Sequence, residues 1–274
     1  MPTQPPMPPR NTVRFALPPS LGSQAAADRA ARLQQVLSSR MGKPVDVYVA
    51  PDYEALAKDL LSGRSDAAWA PPFVCARVEA MGVRVLVRGV RANGSTYRAA
   101  LVCRADSPFK SGDLKGARAL WVDRDSVGGY LLASGYLRAK GLNPAQLFEK
   151  QEFAGSYRAA VEGVLQGRAD VTSVFAPAAA EGEPDTTGLS QVAPPGREKE
   201  LHVIAFTDEA PNDGVVVSMN VSPDLVEHLE NTLLTLHEST EGKALMREIF
   251  SAQSFEQAPR LGYRALYRVA LASL

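Results

Sequence analysis

The feature that most constrains this chain is a segment it carries twice. Tyr53 to Ala70 reads YEALAKDLLSGRSDAAWA, and Tyr157 to Val174 reads YRAAVEGVLQGRADVTSV. Six positions match in phase, each pair 104 residues apart: Tyr53/Tyr157, Ala55/Ala159, Leu61/Leu165, Gly63/Gly167, Arg64/Arg168 and Asp66/Asp170. Each copy reads as an amphipathic helix, a glycine stop, an aspartate and a short apolar strand. A glycine just past the last helical turn suits a left-handed cap. A spacing near 100 residues is too long for a solenoid, whose period is roughly 20–50 residues. It fits two similar α/β lobes, and paired lobes imply a cleft as the default binding site. The alternative is that helix, glycine, aspartate and strand are ordinary α/β punctuation, although the phase holds over the whole segment.

Flanking patterns extend the α/β order. Val13–Leu17, Val45–Val49, Ala67–Ala70 and Val83–Val90 read as strands, with helices over Gln24–Met41 and Phe73–Met81 between them. That alternation predicts a mostly parallel sheet with covering helices. Tyr97–Arg104 reads as the strand that crosses into the second lobe. Ala117–Val122 is a strand and Gly129–Lys140 a helix. Leu201–Thr207 and Val215–Met219 are strands around the turn Pro211–Gly214, where the chain is expected to return. Ser222–Leu236, Thr240–Phe250 and a last segment from Tyr263 read as helices packing on the first lobe. Glu181–Glu200 is a polar loop, long for a compact domain. The resulting organisation is a Pro-rich, disordered 1–12, a first lobe of 13–97 with 212–274, and a second lobe of 98–211.

Thirty basic and 30 acidic residues give a formal net charge of +0, with no basic stripe, so nucleic acid is not an expected partner. No run of about 18 apolar residues occurs, so no membrane insertion is expected. The N-terminus, MPTQPPMPPRNTVRF, lacks an apolar core of the export type, and the expected location is the cytoplasm, or the periplasm if an export signal has been removed. Two cysteines, Cys75 and Cys103, are too few for a disulfide framework and read as buried free thiols.

The sharpest local feature is Val122–Tyr130, VDRDSVGGY, between a strand and a helix. In open α/β sheets ligands bind beyond the carboxyl ends of strands. Amides at a helix start carry partial positive charge and suit anions. Ser126 adds a hydroxyl, and Gly128 and Gly129 allow close approach to the backbone. The same residues also suit a Ser N-cap with two glycines for the turn, and chemistry alone divides evenly between the two readings. Three further corners stand out. Trp69–Phe73 offers Pro71 and Phe73 as shape and stacking elements, or as core. Ser20 caps the first helix or faces the cleft. Gly155–Tyr157 opens the second repeat.

The order Trp69–Ala–Pro–Pro–Phe73, Ser95–Thr–Tyr97–Arg–Ala–Ala–Leu, Asp113–Leu–Lys–Gly116, Val122–Asp–x–Asp–Ser126–x–Gly–Gly–Tyr–Leu131, Phe153–x–Gly–Ser–Tyr157 and Gly167–x–Ala–Asp170 resembles the PhnD-like family. These are substrate-binding proteins of phosphate, phosphite and phosphonate importers. The resemblance implies the two-lobed type 2 periplasmic binding protein fold, an α/β architecture of two mixed sheets flanked by helices with a two-stranded hinge. It also implies a ligand site at Tyr97, Ser126, Val127, Gly128, Gly129 and Tyr157, with Ser20, Pro71 and Phe73 contributed by the first lobe. In the family the second-lobe loop usually reads Ser-Thr-Ser-Gly-Tyr, and a His often follows Gly-Ser. Here Ser126 matches, Val127 and Gly128 replace the next two residues, and Tyr157 stands at the His position. The two tyrosines point to a flatter or more organic ligand than a bare phosphonate, with Arg91 or Arg98 as sources of positive charge. A bulky residue at Gly129 is expected to abolish binding without unfolding the protein.

The leading function is therefore a small-molecule binding protein for an anionic or polar organic ligand, acting as a non-transport sensor or repurposed binder that closes on its ligand. A signalling protein or a transporter is the expected partner, and no cofactor or metal is expected. The competing class is a cytosolic enzyme on the same fold, acting on a small carboxylate or phosphorylated metabolite. General acid–base work would need a His or a perturbed carboxylate in the cleft. None of the three His pairs with Cys or Glu at metal-ligand spacing; His228 and His237 sit on an expected C-terminal helix away from the cleft, and His202 begins a strand. Asp123, Asp125 and Asp213 are expected near the cleft, but aspartate in turns is usually structural. A third class is an adaptor with a vestigial cleft.

Overall fold

The chain alternates apolar strands with helices in two places, and each place builds its own sheet. The computed structural model describes residues 11–19, 23–92, 94–179, 187–264 and 266. The expected disorder of 1–10, Ser20 and most of the last expected helix lie outside the described residues, as does 180–186 of the expected loop.

The chain divides into two compact units, Met1–Ser95 with Pro211–Arg264 and Thr96–Ala210 with Ala265–Leu274. In the first, β1 (Val13–Leu17), β2 (Val45–Val49) and β3 (Ala67–Ala70) are joined by α1 (Ser23–Met41) and α2 (Tyr53–Ser62). Then follow α3 (Pro72–Ala80) and β4 (Arg84–Val90). β1 pairs with β2 and with β3, both parallel. β1 has neighbours on both edges, and four of its five residues are buried. Such strands read as apolar runs rather than alternations.

In the second unit, β5 (Thr96–Arg104) leads to β6 (Arg118–Trp121). The helix after β6 opens as a π-helical turn over Val127–Leu131 and continues as α4 (Leu132–Ala139). The short α5 (Pro144–Leu147), β7 (Lys150–Phe153), α6 (Tyr157–Leu165) and β8 (Val171–Pro177) complete the second copy of the motif. β6 pairs parallel with β7 and β8. α7 (Leu189–Val192) and β9 (Leu201–Phe206) follow, and β9 and β8 both pair antiparallel with β5.

The remaining elements return to the first unit: β10 (Ala210–Pro211), β11 (Gly214–Val217), α8 (Pro223–Leu234), α9 (Thr240–Glu248) and β12 (Ser254–Gln257). β10 lies at the unit boundary beside β5, and the Asn212 N–H donates to Ser95 O at 2.9 Å, so the two boundary segments are hydrogen-bonded neighbours.

The sheet orders are β12-β4-β11-β3-β1-β2 and β10-β5-β8-β6-β7, with β9 on β5. Both sheets are mixed, as the fold class predicts. The expectation of a mostly parallel first sheet needs correction. β11 inserts between β3 and β4 and pairs antiparallel with each. Val83–Val90 therefore does not neighbour the strands that precede it in sequence. β12 was also not anticipated; it pairs antiparallel with the far edge of β4.

The repeat is deeper than the sequence match. β1, β2, α2 and β3 recur as β6, β7, α6 and β8, and α1 recurs as the Val127–Ala139 helix. The caps also recur. The Asp52 side chain accepts from Ala55 N at the start of α2, and Ser156 from Ala159 N at the start of α6. Gly63 and Gly167 take positive φ of 71° and 72°, the left-handed geometry expected after each helix. Phe15, Leu17, Leu33, Leu37, Trp69 and Phe250 lie in the first core. Val161, Val164, Trp121 and Leu137 anchor the two faces of the second sheet.

Candidate functional site

The second unit brings six of the nine expected site residues onto one chain segment and its neighbours. β6 ends at Trp121, and the loop beyond it is shaped by its own polar groups. The Asp123 carboxylate accepts from Asp125 N at 2.9 Å, and Ser126 N donates to Asp123 O at 3.2 Å. Ser126 then caps the helix: its Oγ accepts from Gly129 N at 3.1 Å. Asp123 is thus a turn-former, as its type suggests. Leu131 N reaches Ser126 O, and Leu132 N reaches Val127 O, which makes the first turn a wide π turn. Such turns are common at functional positions.

The loop is held from beneath by β8. The Ser173 Oγ donates to Gly128 O at 2.7 Å, fixing the peptide that follows Gly128. Ser173 is fully buried. The first N–H groups of any helix lack intrahelical acceptors. Here the Ser126 hydroxyl takes that of Gly129, and those of Val127 and Gly128 head the helical run.

Gly128 and Gly129 serve different ends. A Cβ on Gly129 would overlap Val122 and sit 2.7 Å from Ser126 Oγ, so this glycine is needed for packing against the strand end. A bulky residue there disturbs the fold itself, contrary to the expectation that it would act on binding alone. A Cβ on Gly128 would instead meet Tyr157 Oη at 2.8 Å, Tyr97 Cε2 at 3.3 Å and Phe175 Cβ at 3.5 Å. Gly128 therefore faces a group of three aromatic residues.

That group has its own order. Tyr157 starts α6, and its ring meets Phe175 edge-on at 5.3 Å and 82°. Tyr97 pairs with Pro177 and Ala99 with Phe175 across the β5–β8 ladder, so both strands present aromatics beside the loop. Gly188 leaves room for the Phe175 ring, which a Cβ there would overlap. Tyr97, Ser126 and Tyr157 are partly exposed, while Val127, Gly128 and Gly129 are buried. Phe175 and Ser173 were missed from sequence. Their signal is positional: both lie on the strand of the second repeat, one residue before and one after Val174, where the repeated segment ends.

Of the other expected residues, Pro71 and Phe73 belong to the first unit. Pro71 is the extended residue before α3, with Pro72 in the first turn, and Phe73 is partly buried there. Trp69 is core, packed edge-on against Phe250 and Phe255 at 5.2 and 5.7 Å. The two arginines named as charge sources are both engaged. Arg91 pairs with Asp213. Arg98 is buried, donates to Pro177 O at 3.0 Å and stacks 4.0 Å over the Phe206 ring.

No group of three or more His, Cys, Asp or Glu able to hold a metal occurs among the described residues. Cys75 and Cys103 are buried free thiols, as expected. Burial first, and then the nearby Asp213, push the Cys75 thiol well up, which disfavours a reactive thiolate. Burial also raises the Asp213 carboxyl, against the pull of Arg91. No helix among the described residues is long and apolar enough to cross a membrane.

Comparison with known proteins decides the family. The family of periplasmic substrate-binding proteins of phosphonate ABC transporters matches residues 15–260. The chain belongs to this family. A curated phosphonates-binding periplasmic protein of Escherichia coli is 24% identical over 245 residues, 85% of this chain and 70% of that protein. A Xanthomonas citri protein solved bound to ATP superposes with a TM-score of 0.78 at 18% identity, over 96% of this chain and 97% of that one. PhnD1 of Prochlorococcus marinus, solved in complex with methylphosphonate, gives 0.69 at 17% identity, over 96% and 99%. A binding-protein component of a phosphonate transporter from Pseudomonas aeruginosa gives 0.68 at 19%, over 96% and 86%. At these identities the solved structures establish the fold. Family membership establishes a phosphonate-family substrate-binding protein, one that binds a small molecule.

Proposed function

We propose that this member of the phosphonate-binding family uses the loop Asp123–Tyr130 with Tyr97 and Tyr157 to bind an anion-bearing organic ligand. The observation that carries this reading is the corner itself. A capped, π-wound helix start is pinned by Ser173 and flanked by two partly exposed tyrosines. Helix-start amides offer donors to an oxyanion without a formal charge. The tyrosines add flat surface and phenolic donors. Val127 and Gly128 bring no hydroxyl, which supports a ligand gripped more by backbone and aromatic contacts than by a cluster of side-chain hydroxyls.

The ligands printed for two proteins of similar fold, methylphosphonate and ATP, both carry phosphorus oxyanions. They bracket the size range proposed for this chain. Ligand-driven closure of the two units, involving Ser20, Pro71 and Phe73, is part of the proposal, with the closed form read by a signalling protein or a transporter. A ligand drives closure only through better binding to the closed state.

A thermal-shift screen against inorganic phosphate, methylphosphonate, ATP and small carboxylates tests the reading. A ligand at about 100 times its dissociation constant stabilises by about 2.7 kcal/mol, a readily seen shift. A shift with a phosphorus oxyanion, accompanied by compaction in small-angle scattering, supports it. A response confined to carboxylates narrows the anion to a carboxylate, and a response to none of the probes refutes the reading.

A further inference from the structure

We infer that Gly128 and Tyr157 form a matched pair that sets specificity: the Tyr157 phenol occupies the space a side chain at position 128 would fill, and its hydroxyl serves as the loop's side-chain donor. This deepens the reading above and rests on it. The geometry is specific. The Cβ position on Gly128 lies 2.8 Å from Tyr157 Oη, inside normal carbon–oxygen contact. Tyr97 and Phe175 close the same space at 3.3 and 3.5 Å. Gly128 has no positive φ, so backbone conformation does not demand glycine here. Space does.

Both members of the pair are anchored. The Gly128 carbonyl is pinned by Ser173, and the Tyr157 ring is set edge-on against Phe175 at the capped start of α6. The phenol oxygen is the tip of a hinged side chain, so a methyl at 128 moves the hydroxyl rather than breaking the sheet. The position of this donor, and hence which anion it reaches, depends on having no side chain at 128.

A double-mutant cycle tests this with wild type, G128A, Y157F and G128A/Y157F. Without ligand, G128A is expected to lower Tm by about 3–10 °C in the wild-type background and by less than half as much in the Y157F background. Equal losses in the two backgrounds would overturn the pairing. With methylphosphonate and ATP titrated by calorimetry, G128A and Y157F are each expected to weaken the bound probe about 10- to 100-fold, because a donor to a charged acceptor is lost or displaced. The double variant is expected to bind no more weakly than the weaker single one. Multiplying losses would overturn the shared role of the hydroxyl. If neither probe binds wild type while the ligand-free coupling persists, the proposed function and the specificity role fail together and only the steric pairing stands.

Discussion

Asp170 grips Arg118 at three points: its carboxylate accepts the Arg118 backbone N–H at 2.8 Å, and the guanidinium Nε and Nη2 at 2.9 and 2.8 Å. The Asp170 N–H donates in return to Arg118 O at 2.8 Å. Asp66 and Arg14 repeat the backbone half in the first unit, at 2.7 and 2.9 Å. This explains the aspartate that follows the glycine stop in each copy of the repeated segment. It ties the turn after the helix to the start of the first strand, fixing the register of β3 on β1 and of β8 on β6.

Asp170→Ala is expected to cost about 2–3 kcal/mol, since a partly buried carboxylate holding several charge-assisted bonds is removed while Arg118 stays partly solvated. Asp66→Ala is expected to cost less, about 1–2 kcal/mol, because the Arg14 side chain turns to Arg64 O instead. Urea midpoints of both variants check this. Equal losses would show that the guanidinium bonds of Arg118 add nothing.

Acid should remove the Asp170 contribution. Hydrogen bonds from Arg118 hold this carboxyl below its ordinary value of 3.8, against a smaller opposing effect of burial. A depressed folded value means stabilisation that is full above the ordinary value and lost as pH falls through the lower one. The stability gap between wild type and Asp170→Asn should thus be steady from neutral pH to about 5 and shrink below about 4. Chemical denaturation at stepped pH reads it; a gap that does not change down to pH 2 would contradict it.

Glu79 behaves the opposite way. It is buried in α3 and accepts the Tyr263 N–H at 2.9 Å, and burial raises its carboxyl above the ordinary 4.5 despite several backbone donors. A raised value gives stabilisation that is full below 4.5 and lost as pH rises through the folded value. The Tm of wild type relative to Glu79→Gln is therefore expected to fall as pH rises above 4.5. A difference independent of pH would mean that Glu79 titrates as it does in the unfolded chain.

Tyr263→Phe should destabilise by about 1–2 kcal/mol. Its ring is fully buried and its hydroxyl donates to Asn212 O at 2.6 Å, so the variant leaves a buried carbonyl with one partner fewer. Asn212 itself donates its side-chain amide to Gly89 O and Gly94 O at 2.9 and 3.1 Å. The loss should show as faster amide exchange at Gly89 and Asn212. Unchanged protection at both would sink this account.

What the sequence revealed was local. The glycine stops and the phase of Tyr53/Tyr157 fixed the α2 and α6 segments because each depends on neighbours within a turn. The position of β11 was not legible, because Gly214–Val217 pairs with strands more than 120 residues earlier and an apolar run does not state its partners. β7 was hidden for another reason: as an edge strand it is largely exposed, and KQEF carries little apolar pattern. At the site, Ser126 and the glycines stood out by type. Gly128 meeting Tyr157 did not, because 29 positions, two helices and one strand separate them.

The placement of β11 also dictates an order of events during synthesis. The strands of the second unit from β5 to β9 are continuous in the chain, complete by Phe206, and can pair as soon as they emerge. The first unit begins earlier yet lacks the strand that joins β3 to β4 until Gly214–Val217 is made, and its outer strand until Gln257. Domains tend to fold as units while the chain grows, and distant pairings close late. The half of the molecule translated first is thus the half finished last, waiting with β4 apart from β1–β3 while its neighbour folds.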